Sequence, residues 1–190
     1  MLDRVAVPAA AAVFLGLGAH ARERRVGPGE ERVFRLINGL PAMLGPPLWP
    51  VMQAGSLASV FVTAGWLHRR GDDRAATAAL AAGAAVWAFA KGVKPSIGRG
   101  RPAAHLARTR VIGREQSGLG YPSGHAAVAA TLAVVVAASD RRLLAPAAGL
   151  AMMVAAARVH AGAHLPLDVV GGGALGLAAG LMARRALPRR

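Results

Sequence analysis

The sequence predicts an all-α fold, an integral membrane bundle of six transmembrane helices. Three observations carry that expectation. Of the 190 residues, 54% are hydrophobic and they gather in runs nearly free of charge. The 23 Lys+Arg and 9 Asp+Glu fall mostly between those runs, which is how a chain crossing a bilayer is written. No period-two alternation persists for the length of a barrel strand, so the runs read as helices.

The six runs are Val5 to Ala19, Pro46 to Leu67, Ala75 to Ala90, Tyr121 to Ser139, Leu143 to Ala157 and Pro166 to Ala183. Crossing the hydrocarbon takes about 20 apolar residues, so the first, third and fifth runs must borrow flanking residues or sit tilted. In the last run Gly172, Gly176 and Gly180 recur every fourth residue, leaving one helix face of bare backbone for a close neighbour. Gly171 to Gly176 also satisfies G-x-G-x-x-G, but inside an apolar span and after no strand, so it is set aside as a dinucleotide signal. The first run is followed by Ala19-His20-Ala21, which resembles a signal-peptidase site, although its charged start is only Arg4 opposed by Asp3. Residues 1–190 are expected to form a single membrane-embedded domain with a motif-bearing core at 75–183. Within the interfacial segment 22–45, Glu30, Glu31, Val33, Phe34, Leu36, Ile37 and Leu40 form a short amphipathic helix bounded by Pro28 and Pro41.

Composition removes several classes. The net charge of +14 invites a nucleic-acid reading, but aromatic residues are only 4% and the basic residues are dispersed among apolar spans, so no nucleic acid is expected as a partner. With no cysteine there is no disulfide, thiolate nucleophile, iron-sulfur cluster or Cys-ligated zinc. Only two of the 23 basic residues are lysines, a weak pointer to a GC-rich bacterial genome.

Ionisable groups at the edges of membrane spans cost free energy and are functional candidates by default. They fall in three collections: Lys94 and Arg101 after the third run, Pro122-Ser123-Gly124-His125 opening the fourth, and Arg158, His160, His164 and Asp168 around the turn between the fifth and sixth. In a six-helix chain, alternation alone puts all three on one side of the membrane. The residue before a proline is biased out of the α region, which marks Lys94, Arg101, Tyr121 and Leu165 as boundary positions. Pro166 suits the first position of a helix and places Asp168 in its first turn. Pro122 lets Ser123 and Gly124 start the fourth helix with unpaired N–H groups facing the loop side, where an anion is welcome.

Lys94, Arg101 and Arg158, an exposed helix N-terminus, two histidines and one carboxylate suit a phosphate site. The cations can neutralise the equatorial oxygens in phosphoryl transfer without magnesium, and one acid is too few for a two-metal site. No cofactor and no metal is therefore expected. His164, held by Asp168, is the candidate nucleophile for a phosphohistidine; His125 is the candidate acid for the departing alkoxide and later the base for water.

Lys94-Pro-Ser-Ile-Gly-Arg-Gly-Arg101-Pro102, then Pro122-Ser123-Gly124-His125, then Arg158 with His164 and Asp168, resemble the three signatures of the type 2 phosphatidic acid phosphatase family, similar in its core to vanadium haloperoxidases. The resemblance implies a six-helix membrane phosphatase acting without metal on lipid phosphates or diphosphates: phosphatidate, phosphatidylglycerol phosphate or polyprenyl (di)phosphate. Lys94, Arg101 and Arg158, with donors from Ser123 and Gly124, would hold the phosphate; His125 would be the acid, His164 the nucleophile and Asp168 its orienter. The chain departs from the pattern at Ala157, where a serine is usual.

Plainer readings stand beside these. Lys94 and Arg158 suit snorkelling, Arg99, Arg108, Arg110 and Arg114 suit solvated loop charges, and His160 suits a structural role. His160, His164 and Asp168 at spacing four imitate a zinc face, but Pro166 breaks the helix between them. Ser123 lacks the G-x-S-x-G spacing of a nucleophile. A membrane scaffold or small transporter with buried charges is the non-enzymatic alternative, and a vanadate-dependent peroxidase is disfavoured by the spans. With the N-terminus inside, ten basic residues lie inside, Arg4, Arg189 and Arg190 among them, and thirteen outside; setting aside the site-bearing segments leaves five outside. The expectation is an outward-facing site in a bacterial cytoplasmic membrane.

Overall fold

The structure is a computed structural model that describes residues 2–23 and 25–187; Arg189, Arg190 and the Arg4 side chain of the charge count lie outside the described residues. All regular structure among the described residues is helical. The elements are α1 (Leu2–Arg22), α2 (Pro28–Asn38), α3 (Gly45–Gln53), α4 (Leu57–Arg69), α5 (Asp73–Gly92), α6 (Lys94–Ile97), α7 (Gly124–Ser139), α8 (Leu144–His160) and α9 (Pro166–Arg184). Helical segments centred on α1, α5, α8 and α9 are long and apolar enough to cross a membrane.

Helix α7 has no polar face and is the centre of the bundle, packed against α4, α5, α8 and α9. A helix hydrophobic all round belongs inside. Its 16 residues are short for a lipid-exposed span, and its neighbours rather than lipid cover much of it. Against α9 the fit depends on the four-residue glycine ladder. A Cβ at Gly172 would run into the Ser123 carbonyl, one at Gly176 into the Ala127 carbonyl, and one at Gly180 would come within 2.7 Å of Val134 Cβ. Because lipid tails supply no hydrophobic drive between helices, such close backbone approach and interhelical hydrogen bonds hold the pair. Thr131 Oγ1 adds one, donating within reach of Ala127 O (2.9 Å) on its own helix and Gly176 O (3.1 Å) on α9.

The second apolar run is not one helix. It breaks at Ala54–Ser56 into α3 and α4, with the Ser56 side chain capping α4 by accepting from Ser59 N. At the break Gly55 lies against the backbone carbonyl of His125, where any side chain would collide. A hydropathy average runs through this interruption because Gln53, Gly55 and Ser56 are single residues among apolar neighbours.

The amphipathic segment is α2, with acids Glu30 and Glu31 in its first turn. Phe34 and Asn38 face the protein while Val33 and Leu36 are exposed, as an interfacial helix requires. Asn38 ties α2 down: its Nδ2 donates to Arg110 O (2.8 Å) and His160 O (2.9 Å), and its Oδ1 accepts from Arg110 N (3.0 Å). Arg110 returns contacts from its guanidinium to Asn38 O and Leu40 O, so it is a strut between segments rather than a solvated loop charge. Arg108 and Arg114 are exposed, as expected. The segment after α6 is docked on the end of α8 by Ile112 N donating to Ala161 O (3.1 Å), beside Gly162, whose positive φ and contact with the Arg110 carbonyl both require glycine.

Candidate active site

The C-terminal ends of α5 and α8 and the N-terminal ends of α7 and α9 meet at one end of the bundle, and the three motif segments meet there. Ser123 N donates to Asp168 O (2.9 Å), His164 N to Arg158 O (3.3 Å), and Arg101 Nη1 to Ala163 O (2.7 Å). Lys94 Nζ spends its donors on the carbonyls of Leu119 (3.1 Å), Gly120 (2.8 Å) and Pro122 (2.8 Å), fixing the strand of backbone that leads into α7. Ser123 is the N-cap of α7, its buried Oγ accepting from Ala126 N (3.4 Å). The positive end of the α7 dipole and its first free N–H groups therefore sit in the middle of the motifs.

Helix α8 ends at His160 and α9 starts at Pro166, so His160, His164 and Asp168 share no continuous helix, and among the described residues no group of three His, Asp or Glu stands ready to hold a metal. Asp168, in the first turn of α9 and fully buried, accepts from Leu165 N (2.9 Å) through Oδ2, the reach-back of an N3 acid to its own N-cap. The same oxygen faces His164 Nδ1 at 3.4 Å. With Nδ1–H directed at Asp168, the lone pair of Nε2 is left for chemistry. Burial, outweighing the attraction of Asp168, holds the His164 imidazole well below its ordinary pKa, in the neutral form a nucleophile needs.

A cavity of about 430 Å³ opens beside these groups, lined among others by Trp49, Gln53, Arg101, Gln116, His125 and Arg158. Arg158 is 8% exposed, with Nη1 against Met52 Sδ (3.8 Å) and Nε unpartnered, a buried cation with capacity to spare for an anion. Lys94 and His164 are not among the cavity's lining residues, although Ala163, the neighbour of His164, is. Ala157, where the family pattern has serine, is buried against Met52 and Ala161. His160 is structural: its Nδ1 is 3.2 Å from Ile37 O.

Two residues of this neighbourhood escape the sequence reading. Arg99, expected as a solvated loop charge, has a fully buried side chain. It bridges Glu30 of α2 (Nη2 to Oε2, 2.6 Å; Nη1 to Oε1, 3.1 Å) and Asp168 of α9 (Nη1 to Oδ1, 3.1 Å). Glu30 Oε1 also accepts from Leu167 N (2.9 Å). The signals present in sequence were slight: Arg99 lies between Gly98, which has positive φ, and Gly100, and Glu30 opens an otherwise interfacial helix.

The protein is a phosphatase, a hydrolase of phosphoric ester bonds. The chain belongs to the PAP2 superfamily, whose family model matches residues 74–190. Its fold is similar to the first transmembrane PAP2-type phosphatidylglycerolphosphate phosphatase from Bacillus subtilis, with TM-score 0.74, 20% identity and 94% of each chain covered. It is also similar to LpxE of Aquifex aeolicus, with TM-score 0.70, 24% identity, and 81% of this chain and 93% of that one covered. No curated protein sequence matches the chain.

Proposed function

We propose that the protein removes phosphate from a lipid phosphomonoester or diphosphate, of the phosphatidate, phosphatidylglycerol phosphate or polyprenyl (di)phosphate type, through a phosphohistidine and without metal. The observation that carries this reading is the buried His164–Asp168 pair, with its imidazole neutral and oriented, at the same end of the bundle as a cavity lined by Arg101, His125 and Arg158. The lipid class named for the Bacillus subtilis protein agrees with it.

The phosphate binds with its oxygens against Arg101, Arg158 and the N–H groups opening α7 at Gly124, where negative charge grows in the transition state. Ser123 supplies a donor from its hydroxyl, and Lys94 adds its charge from behind while holding the carbonyls of 119–122. His164 Nε2 attacks phosphorus, the P–N bond forms, and the P–O bond to the lipid breaks with His125 giving its proton to the departing oxygen. Asp168 stabilises the imidazolium character that develops on His164. His125 then takes a proton from water, which attacks phosphorus and releases phosphate and free His164. Both Asp168 oxygens are already committed, to Arg99, Leu165 and His164, which supports a role as orienter rather than metal ligand.

We further read α1, α3 with α4, α5, α7, α8 and α9 as six crossings of a bacterial cytoplasmic membrane, with the site facing outward. The test is phosphate release in detergent from a panel of lipid phosphates and diphosphates with EDTA present, alongside His164→Ala. Release that survives EDTA and vanishes in the variant is expected. Release equal in the variant sinks the nucleophile assignment, and no release from any lipid turns the reading toward a scaffold or transporter.

A further inference from the structure

Arg99 and Glu30 form an ion pair beside the site, with side chains 0% and 5% exposed, that the mechanism above does not use. Their geometry is that of a clamp. The Glu30 carboxylate takes both terminal nitrogens of the guanidinium in the forked arrangement that fixes its plane. The plane so fixed directs Nη1 at Asp168 Oδ1, and with Oδ1 pinned, Oδ2 is the oxygen that meets Leu165 N and His164 Nδ1. Glu30 also takes the N–H of Leu167, so the same carboxylate that holds the guanidinium holds the first turn of α9 on which Asp168 rides.

The charges require the set. Glu30 and Asp168 bring two carboxylates together in a place largely shut off from solvent, and the Arg99 guanidinium lies between them as the cation that offsets both. A lysine at position 99 would supply charge but not the fork that reaches both carboxylates.

Resting on the phosphohistidine reading, we propose that Glu30 and Arg99 are positioning residues for the reaction: through Arg99 the interfacial helix α2 orients the Asp168 carboxylate, and through it the attacking imidazole of His164. Glu30 lies upstream of the matched residues 74–190, so this support is contributed by the segment between the first two apolar runs. It makes α2 part of the machinery's scaffolding as well as a membrane-surface element.

The experiment is a double-mutant cycle in detergent, read by phosphate release from short-chain phosphatidate and the rest of the lipid panel. Glu30→Gln keeps the shape and the acceptor for Leu167 N, so the variant folds, checked by a melting temperature close to wild type. Outer-shell partners of this kind are worth about tenfold or more in activity, so kcat should fall by about that factor with KM within about twofold, because orientation and not binding is lost. Arg99→Lys should lose a similar factor. In the Asp168→Asn background the Glu30→Gln change should cost less than about twofold further, since a residue acting through Asp168 has nothing left to act on. Equal and independent losses in the two backgrounds, a loss confined to KM, or an unaffected Glu30→Gln enzyme overturns the proposal. A wild type that releases no phosphate from any lipid overturns the phosphatase reading and this proposal with it.

Discussion

Substituting alanine along the glycine ladder of α9 separates stability from activity. At Gly172 the new Cβ would collide with the Ser123 carbonyl and lie 3.1 Å from Ser123 C and 3.2 Å from Ser123 N. Restoring ordinary contact moves the N-cap of α7 by on the order of 1 Å, and a misplacement of that size can cost about a hundredfold in rate. Forcing an extra methyl into a packed seam also costs about 1–3 kcal/mol of stability. At Gly180 the clash is with Val134 Cβ (2.7 Å) and Thr131 O (3.0 Å), a comparable stability cost. But Gly180 is eight residues further along the helix, about 12 Å at 1.5 Å per residue, and the groups it displaces are far from Ser123. Gly173, with nothing within 4 Å of an added Cβ, is the control: Gly173→Ala should be neutral or stabilising by up to about 1 kcal/mol, the helix-propensity difference. Melting in detergent and phosphate release, measured on all three, check this. Gly172→Ala should lose stability and about a hundredfold in activity, and Gly180→Ala stability with activity within about threefold. Wild-type activity in a destabilised Gly172→Ala, or an equal activity loss in Gly180→Ala, refutes the argument that the α7–α9 seam sets the position of the α7 N-terminus.

Stability should fall as the pH drops below about 6.5, the ordinary imidazole value, because the unfolded chain protonates His164 there while the folded site keeps it neutral. The stabilisation is complete above that value and is lost as pH falls toward the depressed folded pKa, so His164→Gln should show a shallower decline between pH 6.5 and 4.5 in melts of both proteins; parallel curves would contradict the burial argument. Arg158→Ala should lower kcat/KM by about a hundredfold to a thousandfold, the value of one preorganised transition-state donor. Arg158→Lys should recover only part of that, since the point charge lacks the fork; full recovery would reduce the residue to a general positive charge.

The meeting of the three motif segments at one end of the bundle was legible from alternation alone. Three charged collections at the third, fourth and fifth-to-sixth boundaries had to share a side if the runs were helices, and Pro166 put Asp168 in the first turn of its helix, where it is. The seam was legible too, because a glycine every fourth residue has one meaning at helical spacing and Ser123, Ala127 and Thr131, themselves four apart, are what it meets. The helix break at Ala54–Ser56 was not, since Gln53, Gly55 and Ser56 are isolated within an apolar run and the His125 carbonyl that Gly55 meets is 70 residues away in sequence. Arg99 failed for the same reason. A guanidinium among loop arginines carries no mark of burial, and its partners lie 69 residues to either side.

The Glu30–Arg99–Asp168 bridge explains how a site with one carboxylate in its motifs can work with so many cations. Lys94, Arg101 and Arg158 leave the phosphate site with an excess of positive charge, which is what a doubly negative substrate needs, but the same excess would compete for Asp168 and turn it away from His164. Arg101 and Lys94 are kept from doing so by backbone carbonyls, Ser117 and Ala163 for one and Leu119, Gly120 and Pro122 for the other. Arg99 is allowed onto Asp168, and only through Oδ1, because Glu30 holds the rest of its fork. The carbonyls and the one imported carboxylate thus hold each cation to its place: Arg158, whose Nε has no partner, lines the cavity, while Arg99 is spent on orienting Asp168.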